Sequence, residues 1–289
     1  MRAEGLHQVN KVLQNFAVLM CVYRKDDLEL FKKAVESVFA NTHQPENFCL
    51  IVDGPVAPFM DNFIRNNICV RKNVTVHWRS KNYGLTSCLN FGLMQIHQDF
   101  IIRADSDDLN LPDRFDKLYT KMRDGFDLVG SHATEYVASD GAQYEKTLPI
   151  TSEKIRGYAA MRNPFLHMTV CYNRELAISL GGYPEILYRE DYGLWLKFIG
   201  NNARVANLDE VLVRASWGDN FVKRRASGSV IREELKLLVL KFRYLPRKYY
   251  VNIILAFFLR VFPLLLGGKT LDFLYKNIIR KHKGNQNGK

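Results

Sequence analysis

Ile101-Ile102-Arg103-Ala104-Asp105-Ser106-Asp107-Asp108-Leu109 is an apolar run of strand character that ends in three carboxylates within four residues. Carboxylates this close repel one another, so keeping all three ionised at neutral pH favours a bound cation, a basic ligand or full solvation. The best-fitting cation is Mg2+ or Mn2+ carrying a phosphate ester. These hard ions take one or two carboxylates and fill the rest of their shell with water and phosphate oxygens. The plain alternative is a solvated acidic turn. Position favours a site, because a strand that ends in acids within an alternating strand-helix pattern is where open α/β sheets place ligands.

The pattern on the N-terminal side alternates in that way. Phe16 to Tyr23 reads as a buried strand, and Asp26 or Asp27 can cap the amphipathic helix that follows to about Phe39. Phe48 to Val52 is a second strand, closed by Asp53-Gly54-Pro55, with a helix between about Pro58 and Asn66. Val74 to Trp78 is a third, followed by Arg79-Ser-Lys-Asn-Tyr-Gly84 and a helix from about Leu85 to Gln95. Phe100 to Ala104 delivers the acids; Pro112 suits the first turn of a helix to about Met122, and Asp127 to Gly130 is a fifth, short strand. The fold class is therefore α/β, a parallel sheet with helices on both faces. Its carboxyl edge gathers Tyr23-Arg24, Asp53, Lys81 and Asp105 to Asp108.

Taken together, the opening strand, Asp53, the segment Asn82 to Asn90 and Asp105-Ser106-Asp107-Asp108 resemble the family 2 glycosyltransferases of GT-A fold. The likeness is to the bacterial enzymes that extend surface-polysaccharide and O-antigen repeat units, and it runs over roughly residues 16 to 225. It implies that Asp105 and Asp107 hold a divalent metal and the donor's diphosphate, with Asp108 a further acid beside them. It also implies that Asp53 contacts the uracil. The family often has Glu after the first strand, where this chain has Tyr23-Arg24-Lys25-Asp26-Asp27.

Beyond Gly130 lie short strand-like pieces near 135–137 and 143–148, then a helix from about Ser152 to Met161. This half is expected to shape the acceptor pocket. Asn163-Pro164-Phe165 reads as a turn running into a strand, with His167 on one face beside Phe165 and Thr169. A lone strand histidine is usually structural; the resemblance puts His167 along the substrate cleft. Glu190-Asp191 opens a helix to about Ile199, where acids complement the helix dipole. The resemblance implies that one of the pair deprotonates the acceptor hydroxyl, Asp191 being the base and Glu190 its aid. Leu208 to Arg214 resembles the last catalytic strand. The segment Ala215 to Arg225 reads as a loop whose basic and aromatic residues, Trp217, Arg224 and Arg225, close over the donor phosphates in related enzymes.

Charge is partitioned along the chain. From Lys223 onward 16 Lys and Arg face 3 acids, whereas the residues before it carry 25 against 27, so the tail holds the whole basic excess of a chain whose net charge is +11. Ile231, Leu235, Leu238, Val239 and Phe242 share a helical face. Tyr249 to Gly268 approaches spanning length, but Arg260 near its middle makes an interfacial or re-entrant anchor on anionic lipid the better fit than a span. The alternative is a helix pair packed on the body or in a homo-oligomer. The expected division is a catalytic unit over 1–225 and a basic helical tail over 226–289. Five scattered cysteines without a C-x-x-C pair argue for reduced thiols. No stretch reads as a signal peptide, so a cytoplasmic, peripheral position at the bacterial inner membrane is expected.

The function expected is an inverting, metal-dependent hexosyltransferase. It would move a hexose from a nucleotide sugar, a UDP-hexose such as UDP-Gal or UDP-Glc, to a sugar on a polyprenyl diphosphate. A nucleotidyltransferase would share the metal site but needs a glycine-rich phosphate loop near the first strand, which is missing. A basic nucleic-acid or membrane module without catalysis is disfavoured as a nucleic-acid binder, since the basic excess interleaves with aliphatic helices.

Overall fold

The computed structural model describes residues 15–137, 143–217 and 229–265. Among the described residues nine strands form one mixed sheet: β1 (Phe16–Tyr23), β2 (Asn47–Asp53), β3 (Val74–Trp78), β4 (Phe100–Ala104), β5 (Leu109–Asn110), β6 (Leu128–Val137), β7 (Gln143–Lys146), β8 (Cys171–Asn173) and β9 (Val205–Trp217). Their spatial order is β3-β2-β1-β4-β8-β6-β9-β5, with β7 paired to β6. The helices are α1 (Leu28–Phe39), α2 (Pro58–Phe63), α3 (Leu85–Gln95), α4 (Arg114–Arg123), α5 (Ser152–Met161), α6 (Arg174–Ser179), α7 (Glu190–Gly200), α8 (Ser229–Tyr244) and α9 (Tyr250–Leu265).

β1 shows why the first half folds as a three-layer sandwich. A central parallel strand is covered on both faces and so reads as a continuous apolar run. Alternate residues then serve different cores. Ala17 and Leu19 join Cys88, Leu89 and Leu93 of α3 and the buried side of α7. Phe16, Val18, Met20 and Val22 join Phe31, Ala34, Val35 and Val38 of α1 and Phe115, Leu118 and Met122 of α4. β1 is parallel to both β2 and β4, in a register that sets Tyr23 beside Asp53 and Met20 beside Ala104. The strand ends carrying function therefore lie side by side.

The wholly parallel sheet expected from the alternation is interrupted: β3-β2-β1-β4 are parallel, as are β6 and β9, but the sheet between and beyond them is antiparallel. β8 runs antiparallel to β4 and to β6 and separates them. The strand expected to follow Asn163 begins later, at Cys171. His167–Thr169 is instead a short 3-10 turn, in which the Thr169 hydroxyl donates to Leu166 O at 2.9 Å and accepts from Ser131 N at 3.2 Å. A local hydroxyl-to-backbone bond of this kind competes with strand pairing. The short strand near Gly130 continues through Val137 as the long β6, which pairs with β9 across register shifts at Ser131/His132 and His132/Ala133. Residues 215–217, expected in a loop, are the last rungs of that pair.

The C-terminal helices pack on the body. α8 lies against α7, and α9 against α5 and α8. The apolar stripe read from sequence on α8 coincides only in part with the buried face: Leu238 and Phe242 pack against the core, but Leu235 and Val239 are 47% and 65% exposed, while Glu234, Leu237 and Lys241 are buried. Apolar periodicity could not reveal this, because the inward face carries two charged groups that have partners inside. α9 turns Ile253 and Ala256 inward and leaves Val251, Ile254, Leu255, Phe258, Leu259 and Phe262 exposed. No helix among the described residues is long and apolar enough to cross a membrane.

Candidate active site

The ends of β1 and β2 and the turn after β3 enclose a cleft of ≈ 440 Å³, lined by Tyr23, Arg24, Lys25, Asp53, Pro55, Ser80, Lys81 and Asn82. Its floor is organised by Asp53. That carboxylate is 5% exposed and accepts from Tyr83 N at 2.7 Å and from Gly84 N at 2.9 Å, fastening the start of α3 to the end of β2. The joint depends on Gly54, whose φ is +84° and at which a Cβ would meet Asn82 N at 2.6 Å. Asp53 thus holds the loop that carries Lys81. Lys81 is exposed, its ammonium 5.2 Å from the centre of the Tyr83 ring.

The acidic cluster stands on a buried cation that the sequence reading passed over. Arg103, the fourth residue of β4, is 2% exposed; it pairs with Asp105 and donates to Leu19 O at 3.2 Å. A fourth acid joins from the other strand end. Asp27 caps α1 by accepting from Glu29 N and Leu30 N, which leaves Asp26 to accept from Tyr23 N and from the Ser106 hydroxyl, both at 3.0 Å. Burial, with Asp105 nearby, raises the Asp26 carboxyl to about 6. Asp107 reaches the solvent-facing rim but is hemmed in by protein. That desolvation, with Asp105 and Asp26 as like charges, brings it also to about 6.

Asp108 stands apart from this pair. It is 6% exposed and accepts from Ser216 N at 2.8 Å, tying the end of β9 to the acidic turn. Burial first, then Asp105 and Asp107, hold its carboxyl well above the usual range. Asp105 and Asp107 are the two carboxylates of the turn that are not buried. Among the described residues no three His, Cys, Asp or Glu side chains converge as a metal cage. Two hard carboxylates, one of them raised by its neighbours, still fit a Mg2+ or Mn2+ ion that draws its other ligands from phosphate and water, and do not fit a structural zinc.

A second acidic pair heads α7. Glu190 is 7% exposed and is raised to about 7, chiefly by burial and next by Asp191. Asp191 is half-buried and accepts from Asn163 Nδ2 at 2.6 Å. Asn163 therefore aims the carboxylate expected to act as base. Sequence reading saw Asn163 only as part of a turn, since nothing local links it to a residue 28 positions on. His167 lies within the fields of both acidic groups. Burial, then Arg103, lower it to about 4 against the pull of Asp191 and Asp105, so it is neutral at pH 7. Its ring packs against Tyr183 and Trp195, and its Nε2 finds no hydrogen-bond partner among the described residues. Trp217 ends β9, while Arg224 and Arg225 lie outside the described residues.

This geometry has counterparts among known proteins. Residues 17–179 match the model of glycosyl transferase family 2. The chain is 32% identical over 272 residues to the amylovoran biosynthesis glycosyltransferase AmsE of Erwinia amylovora, covering 90% of this chain and 98% of that protein. It is also 32% identical over 272 residues to the UDP-Gal:alpha-D-GlcNAc-diphosphoundecaprenol beta-1,3-galactosyltransferase of Escherichia coli, covering 92% and 97%. The crystal structure of S. aureus TarS residues 1–349 in complex with UDP-GlcNAc superposes with a TM-score of 0.68 at 16% identity, over 93% of this chain and 77% of that one. The GT-A-like fold follows from that superposition. An α/β fold with its acids at the strand ends, together with the family match and relatives aligned along nearly their whole length, makes this chain a glycosyltransferase that belongs to family 2.

Proposed function

We propose that the protein is an inverting, metal-dependent hexosyltransferase that moves a hexose from a UDP-sugar to a hydroxyl of a sugar carried on a polyprenyl diphosphate. The observation that carries this reading is the separation of two acidic groups by role. Asp105 and Asp107 end β4, Glu190 and Asp191 head α7, and Asp105 still acts on Glu190 through space. One group suits a diphosphate's counter-ion and the other a proton. The UDP donor and the lipid diphosphate are supported by the named reaction of the E. coli relative, and UDP also by the ligand of TarS.

Asp105 and Asp107 would hold Mn2+ or Mg2+, which when bound neutralises charge on the departing nucleoside diphosphate. Arg24, Lys25 and Lys81 on the cleft wall add positive charge for the same phosphates. Trp217, Arg224 and Arg225 are proposed to cover them. Asp191, aimed by Asn163, takes the acceptor hydroxyl proton while that oxygen bonds to the anomeric carbon from the face opposite the phosphate. The bond from that carbon to the phosphate oxygen breaks, nucleoside diphosphate leaves and the configuration inverts. A carboxylate suffices as base because the hydroxyl becomes acidic only as it bonds to carbon. The nucleotidyltransferase and the non-catalytic module fall away with family membership.

The test is a transfer panel with purified protein, Mn2+, UDP-Gal, UDP-Glc and GDP-Man, and a synthetic lipid-diphosphate monosaccharide. The expected product is one hexose heavier, made from a UDP-hexose, lost with EDTA and inverted by its anomeric coupling. Full activity in EDTA, or a retained configuration, rejects the corresponding part.

The exposed side of α9 is proposed to rest on the cytoplasmic face of the membrane that carries the acceptor. Six large apolar side chains share that side, and Arg243, Arg247 and Lys248 stand beside its start to meet anionic headgroups. A Leu255→Glu/Phe258→Glu variant should bind anionic vesicles about tenfold or more weakly in flotation, because two buried apolar side chains are worth several kcal/mol at an interface. Unchanged flotation would refute the anchor.

A further inference from the structure

The segment that leads into the acidic pair of α7 has little internal support. Tyr188 is in the left-handed region at φ +61°, and it is exposed. Arg189, at the start of α7, offers the helix no side-chain cap. Support comes from α8. Leu187 N donates to Glu233 at 2.9 Å, Lys236 Nζ donates to Glu185 O at 3.0 Å, and Arg189 Nη2 donates to Glu234 at 2.8 Å. A strained backbone of this kind persists only where its surroundings hold it.

The same helix pair reaches the other side of the base. Arg260 of α9 donates to Glu234 at 3.3 Å and, through Nη2, to Met161 O at 3.0 Å. Lys241 of α8 donates to Ala160 O at 3.0 Å. These carbonyls end α5, two and three residues before Asn163, whose amide holds Asp191. Glu234, only 4% exposed, thus joins the segment before Asp191 to the segment that aims it. An ion triad around a buried carboxylate adds little stability compared with apolar packing, and the attested use of such pairs is to hold one geometry.

We infer that Glu234 is a positioning residue for transfer: through Arg189 and Arg260 it sets the two segments that meet at Asp191, which makes α8 and α9 part of the catalytic apparatus. This rests on the reading of Asp191 as the base. It also gives the inward charges Glu234, Lys241 and Arg260 of these two helices a purpose.

The test compares Glu234→Gln, Arg189→Gln and their double variant in the full chain, with Asp191→Asn alongside. kcat with the lipid-linked acceptor should fall about 10- to 100-fold in each single variant. Mn2+-dependent UDP binding and donor KM should stay within about twofold, because the donor cleft is built from other segments. The double variant should be no slower than the slower single one, since both changes break one path. Wild-type kcat in Glu234→Gln, losses that multiply, or an equal loss of UDP binding overturns the inference. If Glu234→Gln does not fold, the surface change Lys236→Met reads the same brace, with an expected kcat loss of about threefold and refutation by an unchanged kcat. An active Asp191→Asn enzyme would instead reject the base assignment.

Discussion

Asp191→Asn keeps donor binding and loses transfer by about 10²- to 10⁴-fold, the usual contribution of a positioned general base. The substitution preserves shape and an oxygen that can still accept from Asn163, so the head of α7 stays in place. What disappears is the ability to take a proton. Donor binding survives because it is gathered at the ends of β1, β2 and β4. Calorimetry with UDP and Mn2+ beside a transfer assay separates the two outcomes. The pH profile adds a second reading. Glu190 is raised to about 7 by burial and then by the charge of Asp191. Wild-type transfer should therefore rise with pH through neutrality as Glu190 loses its proton and can accept hydrogen bonds from the acceptor. In Asp191→Asn that limb should move down, since Glu190 no longer faces a like charge. Near-wild-type turnover would pass the base role to Glu190 or elsewhere.

Asp107→Ala removes both metal-supported donor binding and transfer. Asp107 is the exposed member of the cluster, so the change leaves no cavity and removes a charge that Asp105 and Asp26 repel. The fold should be no less stable, and slightly more stable if repulsion outweighs local solvation. Transfer should fall by about 10³-fold or more, because several kcal/mol of charge neutralisation at the leaving diphosphate are lost. UDP binding with Mn2+ should fall to the level the wild type shows in EDTA. Turnover close to wild type with unchanged melting temperature would sink the metal assignment. Asp108→Ala should behave differently, because it releases Ser216 and the end of β9. Its signature is a lower melting temperature.

Much of this was legible in the linear chain. β3, β4, α3 and α5 fall on the residues expected for them, since each is a run of one period bounded by turn residues. The strand-end carboxylates were legible for the same reason, as parallel strands bury continuous apolar runs and their polar ends stand out. What escaped were residues whose role is set by a distant partner. Arg103 looks like an ordinary charge within a strand, yet it is the counter-ion beneath Asp105. Asp26 and Asp27 are indistinguishable in sequence until one takes the helix cap. His167 alternates as a strand residue would, but the Thr169 hydroxyl gives that segment another set of hydrogen bonds.

The sequence by itself determined the α/β class, the β1-to-β4 frame and which residue types stand at its carboxyl edge. All three follow from local periodicity and from which residue types end each strand. Tertiary structure alone decided that β8 enters antiparallel between β4 and β6, that Asn163 meets Asp191, and that α8 buries Glu234 while leaving Leu235 and Val239 of its apolar stripe exposed. Each of these joins residues 26 or more positions apart, where the energy lies in pairing buried polar groups. Local pattern carries no trace of such a partner.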